Sequence, residues 1–177
     1  FQTLADPKQA QSLQLDMYMS MCKSGQTLMS NISNLIVVEK TSTAEDKFQY
    51  SYNLDEIGGR ILVTDLFQSK FDQKLDYKSI IYFPPLGKDK LFFSSYGKDG
   101  KTGLDLYMVT RQSTGDWSEP IRLPESINTP YDDDFPYLQP DGKTFYFSSK
   151  GHNSMGGYDI FRCSYDFVSN NFGPVSN

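Results

Sequence analysis

Two stretches of the chain decide its fold: LFFSSYGKDGKTGLDLY, from Leu91 to Tyr107, and FYFSSKGHNSMGGYDIF, from Phe145 to Phe161. They are copies of one another at an offset of 54 residues. The offset aligns these pairs of identical residues: Ser94 with Ser148, Ser95 with Ser149, Gly97 with Gly151, Gly103 with Gly157, and Asp105 with Asp159. A fixed period indicates that each copy folds as the same unit.

The second copy shows the strand pattern of this unit. Residues 135–139 and 143–149 are short apolar-rich segments, and the turn tripeptide Pro-Asp-Gly at 140–142 separates them. A Gly-rich loop at 150–157 leads into a third segment, at 158–166, in which apolar and polar residues alternate. Three or four antiparallel strands in a repeat of about 40–55 residues are typical of a β-propeller blade.

The outermost strand of each unit is predicted from the residues that follow. In the first copy it is DWSEPIRL, at 116–123, and in the second copy FGPVSN, at 172–177, begins it. Trp117 aligns with Phe172 only if one residue slips. Both aromatic side chains are interpreted as packing between blades.

Three motifs carry a family resemblance: PDGKTFYFSS at 140–149, GGYDIF at 156–161 and WSEP at 117–120. They resemble the WD-like propeller repeats of the TolB type, and are most similar to those in envelope proteins of Gram-negative bacteria. The resemblance covers residues 78–177 well and 32–77 loosely. It implies protein or glycan contacts, no cofactor, and a place in the periplasm, at the outer membrane or on the cell surface. Such repeats occur beside tetratricopeptide and OmpA-type domains, in surface or secretion-linked proteins.

We therefore predict a mainly β fold, a partial β-propeller of antiparallel blades preceded by an N-terminal α-helix. A closed propeller has about four to eight blades, so we expect a fragment of a larger propeller, an ordered portion of one, or a part completed by another chain. The predicted units are an N-terminal helical segment at 1–31, connecting strands or a degenerate blade at 32–77, a blade at 78–131 and a second, incomplete blade at 132–177.

The N-terminal segment follows a helical pattern. Asp6 is a candidate N-cap before Pro7, and Met17 and Met21 lie at helical spacing. Gly25 is a weak point in the helix or its end. The Met-rich stripe is either an adaptable docking face or a face that packs on its own domain.

Strands are also predicted ahead of the repeat. Residues 34–40, NLIVVEK, have the composition of a buried strand. Residues 48–54 and 59–67 are predicted as two further strands, with Gly58-Gly59 as the turn between them.

The composition narrows the classes of function. A formal net charge of −5 argues against binding to a nucleic-acid backbone, which needs a basic face. No stretch approaches the roughly 18–20 apolar residues of a transmembrane helix. The two cysteines, Cys22 and Cys163, lie far apart in the sequence, and each is expected to be a solvent-shielded free thiol.

Two features of the second copy could carry metal or acid–base chemistry. The run Asp132, Asp133 and Asp134 is a candidate Ca²⁺ site, because clustered carboxylates supply oxygen ligands. The first copy has Lys-Ser-Ile at the same positions, which favours a solvated turn between blades. His152 is the only histidine, and without a second histidine it is interpreted as a polar loop residue.

Residues that recur in both copies are assigned to the fold, because an active site needs one set of groups whereas every blade needs the same structural groups. Asp105 and Asp159 are predicted to accept hydrogen bonds from the backbone or from the serine pairs at 94–95 and 148–149. No catalytic or cofactor-binding residue is therefore assigned.

Function is expected where the copies differ, at 96–102 against 150–156 and at 78–80 against 132–134. The loop at 150–157 is long, Gly-rich and flanked by aromatic residues, as is common in surfaces that contact a partner. The candidate partner-binding residues are Tyr96, Lys98, Lys150, His152, Asn153 and Met155.

These observations favour a non-catalytic scaffold that mediates protein–protein contacts in a bacterial envelope or secretion-associated assembly. Its partner is another envelope protein or the remainder of its own propeller. A carboxylate-based glycoside hydrolase or lyase is one alternative. Another is a module that binds a glycan or peptidoglycan fragment, with stacking residues Tyr96, Tyr131, Tyr158 and Trp117.

Overall fold

The computed structural model describes residues 14–30, 36–44, 47–48, 51, 53–56, 58–85 and 89–177. In these residues the chain is mainly β, with two α-helices, α1 (Leu15–Ser30) and α2 (Lys70–Lys74). The strands, in chain order, are β1 Arg60–Thr64, β2 Ser79–Phe83, β3 Lys90–Ser95, β4 Asp105–Thr110, β5 Ile121–Arg122, β6 Asp133–Leu138, β7 Thr144–Ser149, β8 Asp159–Asp166 and β9 Asn171–Phe172.

The strands of the described residues form three antiparallel sheets. Sheet A contains β1 and β2, sheet B contains β3 to β5, and sheet C contains β6 to β9. Within each sheet, neighbouring strands are also consecutive in the sequence. Sheets B and C are therefore simple meanders.

The sequence repeat is also a structural repeat. The offset of 54 residues carries β3 onto β7, and β4 and β8 begin at the equivalent residues Asp105 and Asp159. The strand registers agree as well, since Ser95 pairs with Asp105 and Ser149 pairs with Asp159. The strands predicted at 143–149 and 158–166 are confirmed, together with their counterparts in the first copy, whereas β2, the counterpart of β6 at the same offset, pairs with β1 in sheet A.

The outer strands of the two copies align only after a shift of one residue from the repeat offset. Trp117 bridges to Arg111 in the first copy, and Phe172 pairs with Tyr165 in the second. Tyr165 is the equivalent of Arg111 at the repeat offset, whereas Phe172 lies one residue beyond the equivalent of Trp117. The two outer strands thus join their sheets at corresponding places.

The predicted Pro-Asp-Gly turn joins β6 to β7. Gly142 has a φ of +67°, a conformation that glycine adopts without steric cost, and its N–H donates to Gln139 O at 2.9 Å. Asp141 Oδ1 accepts from the N–H of Lys143 at 2.8 Å, which closes the turn.

The larger core lies between sheets B and C. Phe92 of β3 meets Phe145 of β7 with ring centroids 4.8 Å apart. Both sheets contribute to the cluster of buried residues, which contains Phe92, Leu106, Met108, Leu123, Ile127, Phe145, Phe147, Phe161, Cys163 and Tyr165.

A smaller core covers the opposite face of sheet B. Phe93 of β3 stacks on Phe67 with ring centroids 5.0 Å apart, and Trp117 packs edge-on against the same Phe67 ring. Ile81 of β2, Leu91 and Val109 complete its buried residues. Because successive side chains of a strand point to opposite faces, β3 is buried on both sides.

Sheet C is fully buried on the face toward sheet B and only partly covered on the other, so its two long strands alternate in exposure. In β8, Phe161 is buried whereas Ile160, on the other face, is 70% exposed. Its counterpart in the first copy, Leu106, is 0% exposed. Sheet B thus buries Leu106 against sheet C, whereas the equivalent residue of sheet C, Ile160, is exposed.

The N-terminal third departs from the sequence-based predictions. Helix α1 runs through Gly25 without ending there. The predicted helix start at Asp6 and Pro7 falls among residues 1–13, outside the described part of the chain.

The strand predicted at 34–40 is wrong for its described residues. Ile36, Val37 and Val38 belong to no strand and are 82%, 81% and 94% exposed. Their β-branched composition favours a strand, but no neighbouring strand pairs with them in the described part of the chain.

The hairpin predicted at 48–67 is also wrong. Among its described residues, Phe48 and Ser51 lie in single helical turns. Strand β1 forms as predicted, but it pairs with β2 across α2, with Leu62 opposite Ile81.

Both cysteines are free thiols. Cys163 is buried, as predicted, and burial raises its pKa to about 11. Cys22 is exposed on α1, so the expectation of a shielded thiol is wrong for it. Within the described residues, neither helix is long and apolar enough to cross a membrane.

The difference in burial between the equivalent residues Leu106 and Ile160 can be tested by mutation. We expect Leu106→Ala to lower the free energy of unfolding by about 2–5 kcal/mol, because it opens a cavity in the larger core. Ile160→Ala, at the equivalent position, should stay within about 0.5 kcal/mol of the wild type. Urea denaturation measures both, and equal losses would show that sheet C is covered on both faces.

Candidate functional site

The candidate site is built on the two loops that follow the paired serines, at 96–104 after β3 and at 150–158 after β7. Both loops begin with the same turn. The N–H of Gly97 donates to Ser95 Oγ at 3.0 Å, and that of Gly151 to Ser149 Oγ at 2.8 Å. The second serine of each pair therefore fixes the direction in which its loop leaves the sheet.

Buried aspartates hold the first loop in place. Ser95 Oγ donates to Asp72 Oδ2 at 2.5 Å, and the Tyr96 N–H donates to Asp72 Oδ1 at 2.8 Å. Asp72 belongs to α2, where it also forms a capping box with Ser69. Ser94 Oγ donates to Asp134 Oδ1 of β6 at 2.5 Å, which links sheet B to sheet C.

The two recurring aspartates have different partners in the two copies. Asp105 accepts two hydrogen bonds from the Arg122 guanidinium, both at 2.8 Å, and one from Thr102 Oγ1 at 2.6 Å. Asp159 accepts from the Met155 N–H. Neither bonds to a paired serine: Ser95 Oγ donates to Asp72, and Asp105 is held by Arg122 and Thr102.

The acidic run 132–134 does not form the solvated turn that was predicted. Asp133 and Asp134 are buried at the start of β6, and the three carboxylates have separate partners. Asp132 pairs with Lys150 Nζ at 2.7 Å, and Asp133 accepts from the Thr129 N–H at 2.6 Å. The part of the chain that the structure describes contains no group of three or more His, Cys, Asp or Glu residues arranged to hold a metal ion.

Burial governs the protonation of two of these acids. It raises the pKa values of Asp133 and Asp134 above the ordinary range, since the charged forms lose hydration. Burial also acts on Asp132, but hydrogen bonds from Lys150 and the Leu104 N–H outweigh it, so the pKa of Asp132 is lowered.

Helix α1 lies against the loop of the second copy. Ser20 Oγ donates to Asn153 Oδ1 at 3.0 Å, and the Tyr131 hydroxyl contacts the Met17 sulfur at 2.6 Å. A Cβ placed on Gly25 would lie 3.4 Å from the Met155 sulfur, so the helix approaches closely there. Asn153 and Met155 were predicted to bind a partner, and here they contact the chain's own helix.

The other predicted residues of this loop support its conformation. His152 Nε2 lies 2.8 Å from Ile127 O, and its ring packs on Phe147 and Phe161. Lys150, paired with Asp132, sits over the Tyr158 ring at 4.8 Å from the centroid. Both side chains therefore have intramolecular roles.

The loop of the first copy borders an open groove of about 930 Å³. The half-buried Phe67 and Tyr107 provide aromatic surface, with Tyr107 stacked on the buried Phe93 at a centroid distance of 5.8 Å, and Arg122 is held by Asp105. The groove is lined by Phe67, Gln68, Ser69, Lys70, Phe93, Ser95, Tyr96, Gly97, Lys98, Asp99, Thr102, Asp105, Tyr107, Glu119, Pro120 and Arg122.

The four positions that follow the serine pair border a pocket in each copy, but the other walls of the two pockets are formed by residues that are not equivalent. Residues 96–99 line the open groove, and their equivalents at 150–153 line the small cavity of about 150 Å³ between α1 and the second loop. Tyr96 and Lys98, both predicted to bind a partner, lie in the open groove.

The aromatic residues considered for glycan stacking do not form one platform. Tyr96 contacts Phe71 and Tyr77, and Tyr131 contacts α1. Tyr158 meets Phe135 edge-on, whereas Trp117 lies on Phe67. Of the four, Tyr96 alone lines the open groove.

Two residues of the groove region were missed from the sequence. Arg122 has Ser176 as its nearest structural counterpart, so a comparison of the outer strands could have singled it out. Asp72 precedes the repeated region, and no pattern in the sequence connects it with Ser95.

Comparison with protein-family models, with curated proteins and with solved structures gave no match. The resemblance to TolB-type repeats therefore stays a prediction from the motifs.

The raised pKa of Asp134 makes a prediction about pH. The pKa of Asp134 is higher in the folded state than in the unfolded chain, so its stabilising contribution is complete below about pH 4. This contribution is lost as the pH rises through the pKa of the folded state. We expect Asp134→Asn, which keeps an acceptor for Ser94, to reduce the loss of stability between pH 4 and pH 7 in urea titrations.

The control variant should change the pH dependence of stability in the opposite direction. Hydrogen bonds from the N–H groups of Lys143 and Thr144 lower the pKa of the exposed Asp141, whose contribution is present at neutral pH and lost on acidification. Asp141→Asn should therefore destabilise the chain at pH 7 more than at pH 4. A shift of both variants in one direction would contradict the assignment.

The docking of α1 gives a further prediction. Isolated helices of this length are marginal in water, so Met17→Ala should speed hydrogen exchange across Leu15–Ser30 by weakening the contact with Tyr131. Met29→Ala, at a position 71% exposed on the same helix, makes the same chemical change without the contact. Alanine favours helix at both sites; equal exchange in the two variants would show that the helix is not held by this face.

Proposed function

We propose that the chain is a non-catalytic, β-propeller-type scaffold whose groove at loop 96–102 binds a polypeptide segment of a partner protein. The observation that carries the proposal is the open groove of about 930 Å³ beside the loop of the first copy. The exposed Lys98 and the half-buried Tyr96 both border it. A concave surface with a few polar groups beside apolar ones is typical of a binding site.

The chemistry of the groove supports a polypeptide ligand. Aromatic surface lies beside three cationic residues, Lys70, Lys98 and Arg122, and three acidic ones, Asp99, Asp105 and Glu119. This balanced mixture suits a segment with both apolar and polar side chains, whereas a nucleic acid would need excess positive charge. The volume of about 930 Å³ accommodates a few residues of a bound peptide.

The propeller-type architecture and the cellular setting belong to the same proposal. Two repeated antiparallel sheets packed face to face are what neighbouring blades require, and the motifs at 117–120, 140–149 and 156–161 resemble TolB-type repeats of Gram-negative envelope proteins. We place the protein in the periplasm or at the outer membrane or cell surface, with an envelope protein or a secretion complex as its partner.

A non-catalytic role is supported by how the polar residues are used. Arg122 holds Asp105, and Lys150 holds Asp132. Asp134 accepts from Ser94, and His152 lies within hydrogen-bond distance of a backbone carbonyl. These groups are engaged in maintaining the sheets and loops.

Peptide selection tests the groove. We expect a library of displayed 12-residue peptides, panned on the intact chain, to yield peptides whose affinity falls at least about tenfold with Tyr96→Ala or Lys98→Glu, as measured by fluorescence anisotropy. Lys98 is exposed, so its variant should fold normally. Tyr18→Ala, on the solvent side of α1, is the control and should leave the affinity unchanged.

The outcomes separate the alternatives. Peptides that bind all three variants equally, or a selection without enriched peptides, would overturn the groove proposal. Binding on a glycan array that Tyr96→Ala abolishes would favour the glycan alternative. Turnover of a glycoside panel that Asp132→Asn or Asp134→Asn abolishes would make the protein a hydrolase or lyase.

A further inference from the structure

Lys90, the first residue of β3, reaches from the first copy to the turn between β8 and β9 of the second copy. Its Nζ donates to Asn170 Oδ1 at 2.5 Å and also to the carbonyl oxygen of Phe167. At the offset of 54 residues, the equivalents of Lys90 and Asn170 are Thr144 and Asp116. Neither residue recurs in the other copy, so the repeat itself does not require this pair.

The side-chain amide of Asn170 accepts a second hydrogen bond at the same oxygen. The Tyr165 hydroxyl donates to Asn170 Oδ1 at 2.8 Å. Tyr165 is 3% exposed, and burial raises its pKa to about 12, so the hydroxyl stays protonated at neutral pH. A buried donor at a carbonyl oxygen stabilises the negative charge that develops there when a nucleophile attacks the carbonyl carbon.

The surroundings of Lys90 Nζ favour the neutral amine. The nitrogen lies 3.9 Å from the centroid of the Phe167 ring and 5.8 Å from that of the Tyr165 ring, and both rings shield it from water. Burial lowers the pKa of Lys90, and the attraction of Asp166 opposes this only in part. A lysine amine acts as a nucleophile in its neutral form.

The turn that carries Asn170 fixes its position. Asn170 has a φ of +58°, in the left-handed region that asparagine adopts more readily than most residues. Asp166 closes the turn, because it accepts from the Val168 N–H at 2.9 Å and from Ser169 Oγ at 2.7 Å. Groups held next to each other in this way react faster than free ones.

We propose that Lys90 and Asn170 become joined by an isopeptide bond, which forms between Lys90 Nζ and Asn170 Cγ with release of ammonia. The bond links the first strand of sheet B to the last turn of sheet C. The proposal concerns the connection between the two copies and does not depend on the ligand of the groove at 96–102.

The reaction exchanges one amide for another, without an oxidant or a reductant. The lone pair of neutral Nζ attacks Asn170 Cγ, and negative charge moves onto Oδ1, where the Tyr165 hydroxyl stabilises it. A proton passes from Nζ to Asn170 Nδ2, the Cγ–Nδ2 bond breaks, and ammonia leaves. Asn170 is exposed, which gives the ammonia a path to solvent.

Intact-mass spectrometry of the purified chain tests the proposal. We expect the chain to be lighter than its sequence mass by one molecule of ammonia. After digestion with trypsin, a branched peptide should join residues 89–98 to residues 163–177, because trypsin does not cleave after a modified lysine. Lys90→Arg keeps the positive charge and the hydrogen-bond donors but cannot form the bond, so this variant should have its full sequence mass.

Two further variants test the role of the hydroxyl. In chains translated in vitro and followed over time, Tyr165→Phe should lose ammonia at least about tenfold more slowly than the wild type, because one donor to the oxygen is removed. Asn171→Ala, at the exposed neighbouring position, is the control and should lose ammonia at the wild-type rate. Equal rates in the wild type and Tyr165→Phe would contradict the role assigned to the hydroxyl.

Two results would overturn the proposal as a whole. A wild-type chain at its full sequence mass would show that Lys90 and Asn170 form a hydrogen bond only. A loss of ammonia that persists in Lys90→Arg would place the reaction elsewhere, for example in the cyclisation of an asparagine side chain onto its own backbone. Neither result bears on peptide binding at Tyr96, which the peptide selection tests separately.

Discussion

Phe92 and Phe93 are adjacent in β3, and the alternation of side chains along a strand sends them into different cores. This forces sheet B to be a middle layer, with sheet C on one side and β2 with Phe67 on the other. The serine pair that ends β3 is subject to the same constraint. Ser94 reaches across to Asp134 of sheet C, and Ser95 reaches Asp72 of α2. The direction of loop 96–104, and thus the position of the groove, depends on this buried strand.

Much of this arrangement could be predicted from the sequence, because the two copies can be compared residue by residue. The strands and the slip at Phe172 follow from local patterns that occur twice, and the Gly142 turn follows from the Pro-Asp-Gly tripeptide of the second copy. The partners of Asp105 could not be predicted in the same way, since a repeated residue indicates a structural role without naming the atom it bonds. Asp72 and β1 lie in segments that have no copy, so their contacts could not be predicted by comparing the copies. The exposure of Ile36, Val37 and Val38 likewise depends on whether a neighbouring strand is present.

The acidic run at 132–134 shows that residue type alone does not predict the environment of a side chain. Adjacent carboxylates suggest a cation site or a solvated turn, but an extended backbone sends successive side chains in different directions. Asp133 and Asp134 are therefore separated and buried at the start of β6, where each meets hydrogen-bond donors. The burial that raises their pKa values also makes them sensitive parts of the interface between the two sheets. The two copies therefore differ here in the hydrogen bonds made at that interface.

The contact of α1 with loop 150–156 has a consequence for competition. A ligand tethered to its own receptor is present at an effective concentration in the millimolar range for a short flexible connection. Any external polypeptide that uses the positions at 150–153 must first displace this internal occupant. Each loop therefore contacts a helix of its own chain, since Asp72 of α2 binds the start of loop 96–104, but only the first loop also borders the open groove.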